Sequence, residues 1–95
     1  MLSMNKLEQK TPSELAAELA TRVRARRKEL GLSQEKLAYK SQVSLGSIKR
    51  FESKHEISLL SLLRIATALN AEDDFETLFS RRQYLSIQDV IDEQI

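Results

Sequence analysis

The stretch Ser33–Glu52, SQEKLAYKSQVSLGSIKRFE, constrains the fold more than any other part of the chain. It reads as two short helices joined by a tight turn. Ser33 caps the first, in which Leu37 and Ala38 point inward and which ends near Ser41. Gln42 must then reverse the chain, and a left-handed residue with a Cβ costs about 1 kcal/mol relative to Gly there. Val43 plugs the gap between the helices, and Ser44 caps the second, which runs from about Leu45 to Ser53. On a helical wheel Ile48, Phe51 and Glu52 share one side. Gly46, Lys49, Arg50 and Ser53 share the other, with Leu45 on the boundary.

The flanking sequence supplies the elements this pair must pack against. Thr11-Pro12-Ser13-Glu14 is a helix start with a capping box and a proline at the first helical position. An apolar stripe of Leu15, Leu19, Val23 and Leu30 follows, and Gly31 is a natural left-handed terminator, so a first helix is expected over residues 12–30. Arg27 interrupts that stripe on its inner side. An unpaired buried guanidinium is costly, so Arg27 needs a carboxylate, and Glu52 on the inner face of the third helix is the obvious candidate. The alternative is that Arg27 reaches out to solvent along its own stem. Ser58 caps a fourth helix whose Leu59, Leu62, Leu63, Ala66 and Leu69 form a wide apolar face, ended by Asn70 in a left-handed turn. A fifth helix, Asp73 to Phe79, is expected to close the core with Phe75, Leu78 and Phe79.

Two Gly and one Pro are too few for a turn-rich β fold, and the dominant residues are good helix formers, so the class is all-α. The chain divides into an N-terminal arm (1–11), one helical domain (12–80) and a C-terminal tail (81–95). The tail carries a second capping-box pattern, Ser86-Ile87-Gln88-Asp89, and an apolar stripe of Ile87, Val90 and Ile91 in an acidic segment.

Charge is unevenly spread. Residues 21–55 hold ten Lys/Arg against three Asp/Glu, a net +7, whereas residues 56–95 hold three against eight, a net −5. A basic central segment is the signature of a phosphate-binding face, or more plainly of a solvated helix. There is no Cys, so disulfides and thiolate metal sites are ruled out. No apolar run approaches a membrane span and no signal-peptide core is visible, so a cytoplasmic, nucleoid-associated protein is expected. The lone His55 has no His or Cys nearby, and there is no Gly-rich phosphate loop. The chain therefore reads as non-enzymatic, with no cofactor and no metal.

The two short helices match a helix-turn-helix, a shape that fits a duplex groove. Thr21–Glu52 resembles the DNA-binding domain of the Cro and phage-repressor group, the xenobiotic-response-element family of regulators. The shared pieces are the Arg-rich first helix ending in Glu29-Leu30-Gly31-Leu32, Ser33-Gln34 ahead of Leu37-Ala38, Val43-Ser44, Ile48, and Phe51-Glu52. The resemblance runs in register over about residues 14–79. It implies a five-helix, lambda-repressor-like domain that dimerises on a palindromic operator. It also implies a phosphate contact at Gln34, a buried Arg27–Glu52 pair, and base contacts at Ser44, Leu45, Gly46 and Arg50. Gln42 stands where the family commonly has Gly, and Leu45-Gly46 where polar readers are frequent.

The chemistry of such a site divides into anchoring and reading. Helix N-termini offer backbone N–H groups, which favours Ser33, Gln34 and Ser44, while Lys54 and His55 follow the recognition helix where a loop meets the backbone. Ser47 and Lys49 are further candidates, Ser47 for phosphate and Lys49 for bases. Arg50 can reach guanine N7 and O6 with two bonds, worth about 1–3 kcal/mol against the wrong base. Its bland alternative is an exposed charge. Leu45 can pack on a thymine methyl, or else in the core or a dimer contact, and Gly46 permits close approach at about 1 kcal/mol of helix stability.

The expected partner is double-stranded DNA, bound by a homodimeric repressor whose dimer or partner surface includes Phe75, Leu78, Phe79, Tyr84, Leu85, Ile87, Val90 and Ile91. An antitoxin that binds a toxin protein through the tail and represses its own operon is the alternative.

Overall fold

The computed structural model describes residues 9–83, which fold into five helices with no strand among them. They are α1 (Pro12–Glu29), α2 (Gln34–Ser41), α3 (Leu45–Lys54), α4 (Leu59–Ala68) and α5 (Asp73–Glu76). Residues 1–8 of the arm, and Tyr84, Leu85, Ile87, Val90 and Ile91 of the tail, lie outside the described residues.

Each long helix starts on a hydroxyl that satisfies an otherwise orphaned N–H. At α1 the exchange is reciprocal: Thr11 Oγ1 accepts from the Glu14 N–H and Glu14 Oε1 accepts from the Thr11 N–H, both at 3.1 Å. Ser33, Ser44 and Ser58 accept from Lys36, Ser47 and Ser61 at 3.0, 3.1 and 3.1 Å. The ends are as local as the starts. After α1, Gly31 (φ 71°) turns left-handed, and the Leu32 N–H reaches back to the Arg27 carbonyl at 3.0 Å. After α2, Gln42 takes the same region with φ 59° and ψ 30°, and its side-chain amide donates to the Tyr39 carbonyl at 2.9 Å. His55 (φ 66°) ends α3, and Asn70 (φ 58°) follows the Leu69 cap of α4.

Two adjoining apolar clusters hold the helices together. Leu37, Val43, Ile48, Ile65, Ala68 and Leu69 form one, between α2, α3 and α4. Ala20, Phe51 and Leu62 form the other, with Leu19, Val23, Ile57 and Phe75 packed against it. Ile48 and Phe51, at 1% and 2% exposure, pin the inner face of α3 to both clusters. Full burial of such side chains is worth about 1.5–3 kcal/mol each. Ser41 is buried too, and spends its hydroxyl on the Leu37 carbonyl at 2.6 Å while accepting from the Val43 N–H at 3.3 Å. The turn is thus wired from inside as well as plugged by Val43.

Several expectations about the core need correction. Leu15, Leu30 and Leu59 are exposed. Leu15 and Leu59 sit in the first turns of α1 and α4, and Leu30 is already the cap after α1, where the helical stripe no longer aims inward. Ala20 and Ile65 take the buried positions instead. The fifth helix is a single turn, Asp73–Glu76, not a helix to Phe79. Only Phe75 packs on the core, while Leu78 is 56% and Phe79 96% exposed. The helix stops at Glu76 with Thr77 as its cap, and Phe79 lies beyond it at φ 65°.

Candidate nucleic-acid interface

The inner face of α3 fixes how its outer face is presented. Arg27 comes up from α1 and meets Glu52 in two parallel bonds, Nε to Oε2 at 2.8 Å and Nη2 to Oε1 at 3.0 Å. The side chains are 8% and 7% exposed. Nη1 of Arg27 donates to the Leu32 carbonyl at 2.8 Å, so the guanidinium also ties down the loop leading into α2. The solvent-reaching alternative for Arg27 is therefore excluded. Gln34 Nε2 donates to Glu52 Oε1 at 3.0 Å, and Arg24 Nε stands 3.8 Å from the same oxygen. Burial alone would raise the Glu52 pKa. The hydrogen bonds from Arg27 and Gln34 and the charges of Arg27 and Arg24 outweigh it and hold the carboxyl below its ordinary value.

Above this buried pair lies a polar depression lined by Arg24, Ser33, Gln34, Glu35, Lys49 and Ser53. It brings the start of α2 and the outer face of α3 onto one surface. Gln34 belongs both to the depression and to the buried network, so one amide proton is committed to Glu52. Arg24 was not among the residues the sequence singled out. Its signal was available, because it lies three residues before Arg27 on the same face of α1.

The other sequence-designated residues divide by environment. Ser44, Gly46, Lys49, Arg50 and Lys54 are exposed, whereas Leu45, Ser47 and His55 are half-buried. Ser44 and Ser47 share a hydroxyl–hydroxyl bond of 2.8 Å, so the first turn of α3 has its small polar groups organised before any ligand arrives. A Cβ on Gly46 would meet nothing within 4 Å, so no contact inside the molecule requires glycine at that position. Arg50 is not a free cation: its guanidinium donates to Glu56, just past the left-handed turn at His55. Both of those side chains are largely exposed, at 66% and 64%.

Among the described residues no group of His, Asp or Glu side chains is placed to hold a metal ion. No helix among them is long and apolar enough to cross a membrane. What the surface offers is two helix starts, a set of cations and a rigid helix carried on its back by a buried clamp. That is the design of a helix-turn-helix DNA-binding domain.

The family comparison agrees. A helix-turn-helix family model matches residues 23–75, from the middle of α1 into α5. The chain belongs to this family, within the Cro- and phage-repressor-like group of xenobiotic-response-element regulators, and is a DNA-binding transcriptional regulator. Comparison with curated proteins and with solved structures gives no match.

Proposed function

We propose that this protein is a repressor that binds a palindromic operator as a homodimer, with α3 in the major groove and Arg50 reading a guanine. The observation that carries the reading is the division of α3. Its inner face is locked by Ile48, Phe51 and Glu52, while its outer face shows Lys49, Arg50 and an unobstructed Gly46. A glycine that no internal contact demands, in a helix it weakens by about 1 kcal/mol, makes sense where another surface comes close. On this reading Lys49 and Arg50 face base edges with Ser44 and Leu45, and Ser33, Gln34, Ser47, Lys54 and His55 face phosphates. Arg24 joins the phosphate set.

Dimer formation draws support from the residues that follow α5. Leu78 and Phe79 stay in solvent, and Phe79 holds a left-handed conformation that bulky residues rarely adopt. A second copy meeting these residues would bury them and set two recognition helices on one face of the duplex, about 10–10.5 base pairs apart. A toxin partner is the second reading and uses the same exposed residues.

Selection of binding sites from random duplexes tests the proposal. Two inverted half-sites at that spacing are expected. Arg50→Ala should relax the preference at one base pair per half-site by roughly 1–3 kcal/mol. Unchanged preference for Arg50→Ala would remove Arg50 from the reading set.

A further inference from the structure

The helix α4 is apolar on two sides. Leu62, Ile65 and Ala66 carry one side into the core. Leu60, Leu63 and Thr67 follow one another at helical spacing on the other, and Leu60 is 59% exposed. A helix that is apolar beyond its core-facing stripe needs a second surface to cover it. That side of α4 and the end of α2 enclose a groove of about 480 Å³. Its lining is apolar at Leu60, Leu63 and Ala68, cationic at Lys40 and Arg64, and free of carboxylates. No acid occurs in α4, and the one acid of α2, Glu35, sits in its first turn and lines the depression over α3 instead.

We propose that this groove seats the chain's own C-terminal segment, residues 84–95. The segment, YLSIQDVIDEQI, holds three acids, Asp89, Asp92 and Glu93, and no Lys or Arg. Ile87, Val90 and Ile91 stand at helical spacing, and the three acids fall on the opposite side of the same wheel. With the apolar side against Leu60 and Leu63, the acids stay in water. Their charge then acts through space, over a Debye length of about 8–10 Å, and draws the segment toward a groove whose only charges are positive. A groove of similar size between α1, α4 and α5 lacks that preference, because Glu29 and Asp74 line it together with Arg22 and Arg26. Seven residues, 77–83, separate α5 from the segment. So short a tether sets a local concentration on the order of millimolar, which favours the chain's own groove over that of a second copy. No residue of the groove lines the depression over α3, so filling it leaves the recognition surface open.

The chain has no cysteine, so an engineered pair reports the seat directly. In the full chain, Val90→Cys is combined in turn with Leu60→Cys in the groove, Ala25→Cys beside the α1 groove, and Ser53→Cys at the depression over α3. All three domain positions are exposed. Mild oxidation should close a disulfide with Leu60→Cys and with neither of the others, in a species that migrates as a monomer. Thermal melting reads the same contact without a disulfide. Ile87→Ala with Ile91→Ala should lower Tm by about 4–8 °C, and Leu60→Ala by a similar amount. The triple variant should lose no more than the larger of the two, because both remove one contact. Disulfide-linked dimers at Leu60→Cys would assign the segment to a second copy, and closure at Ala25→Cys or Ser53→Cys would seat it on another face. Either result would overturn the proposal, as would no closure at any site or Tm losses that add.

Discussion

Arg27–Glu52 and Arg50–Glu56 join the same two side-chain types, and each places one member on α3. The first is closed off from water, bidentate, and reinforced by Gln34 and the Leu32 carbonyl. The second is open to water, with both side chains about two-thirds exposed. In a water-poor site two charges attract strongly, but each has surrendered its hydration, so neither tolerates losing the other. In water the attraction is screened and either member can leave at little cost. Solvent access, not residue identity, makes one pair a structural tie and leaves the other free to exchange partners.

That contrast is broken most severely by Arg27→Ala. It leaves the largely buried Glu52 carboxylate with only Gln34 and the more distant Arg24 as partners and should cost about 3–5 kcal/mol of unfolding free energy, a large share of what so small a domain has. Denaturant titration measures it. A loss below about 1 kcal/mol would mean the pair is not the tie described here.

A milder way to strain the same pair is acid. Because the folded Glu52 carboxyl titrates below its ordinary value, its stabilising contribution is fully present above the unfolded pKa and is lost as pH falls through the folded one. Thermal melts from neutral pH downward should show an acid loss that Glu52→Gln flattens. Glu14 titrates low for a different reason, its hydrogen bonds with Thr11 at the exposed start of α1, and serves as the control for a carboxyl outside the clamp.

The smallest effect is expected at the other pair. Arg50→Ala or Glu56→Ala should shift unfolding free energy by less than about 0.5 kcal/mol while duplex binding changes. A stability loss comparable to that of Arg27→Ala would erase the distinction between the two pairs.

Local chemistry was readable in the sequence, and coverage was not. The capping box at Thr11 and Glu14, the serine caps, the left-handed turns at Gln42 and Asn70, and the inner and outer faces of α3 follow from residues a few positions apart. Their causes lie within one turn of helix. Leu15, Leu30 and Leu59 fit the same periodicity yet face solvent, because a stripe says which side of a helix is apolar but not how far its neighbours extend. Phe75 and Phe79 are both aromatic and four residues apart, but the helix ends at Glu76, between them, so the helical spacing no longer places both on one face. Within the candidate site, Glu56 escaped notice for a related reason. It reaches Arg50 across a left-handed turn, and a six-residue separation has no helical period to announce it. Arg24 was hidden differently, as one cation among many in an Arg-rich helix.

The bidentate grip on Glu52 also has a rotational consequence. Two parallel bonds resist rolling of α3 about its own axis in a way that one bond, or a greasy contact, does not. A roll of about 20° would swing a side-chain tip at the helix surface by about 2 Å. That is more than a donor can drift and still meet a base edge. The azimuth of Arg50 is thereby set from underneath, by a residue on another helix, before any duplex is encountered.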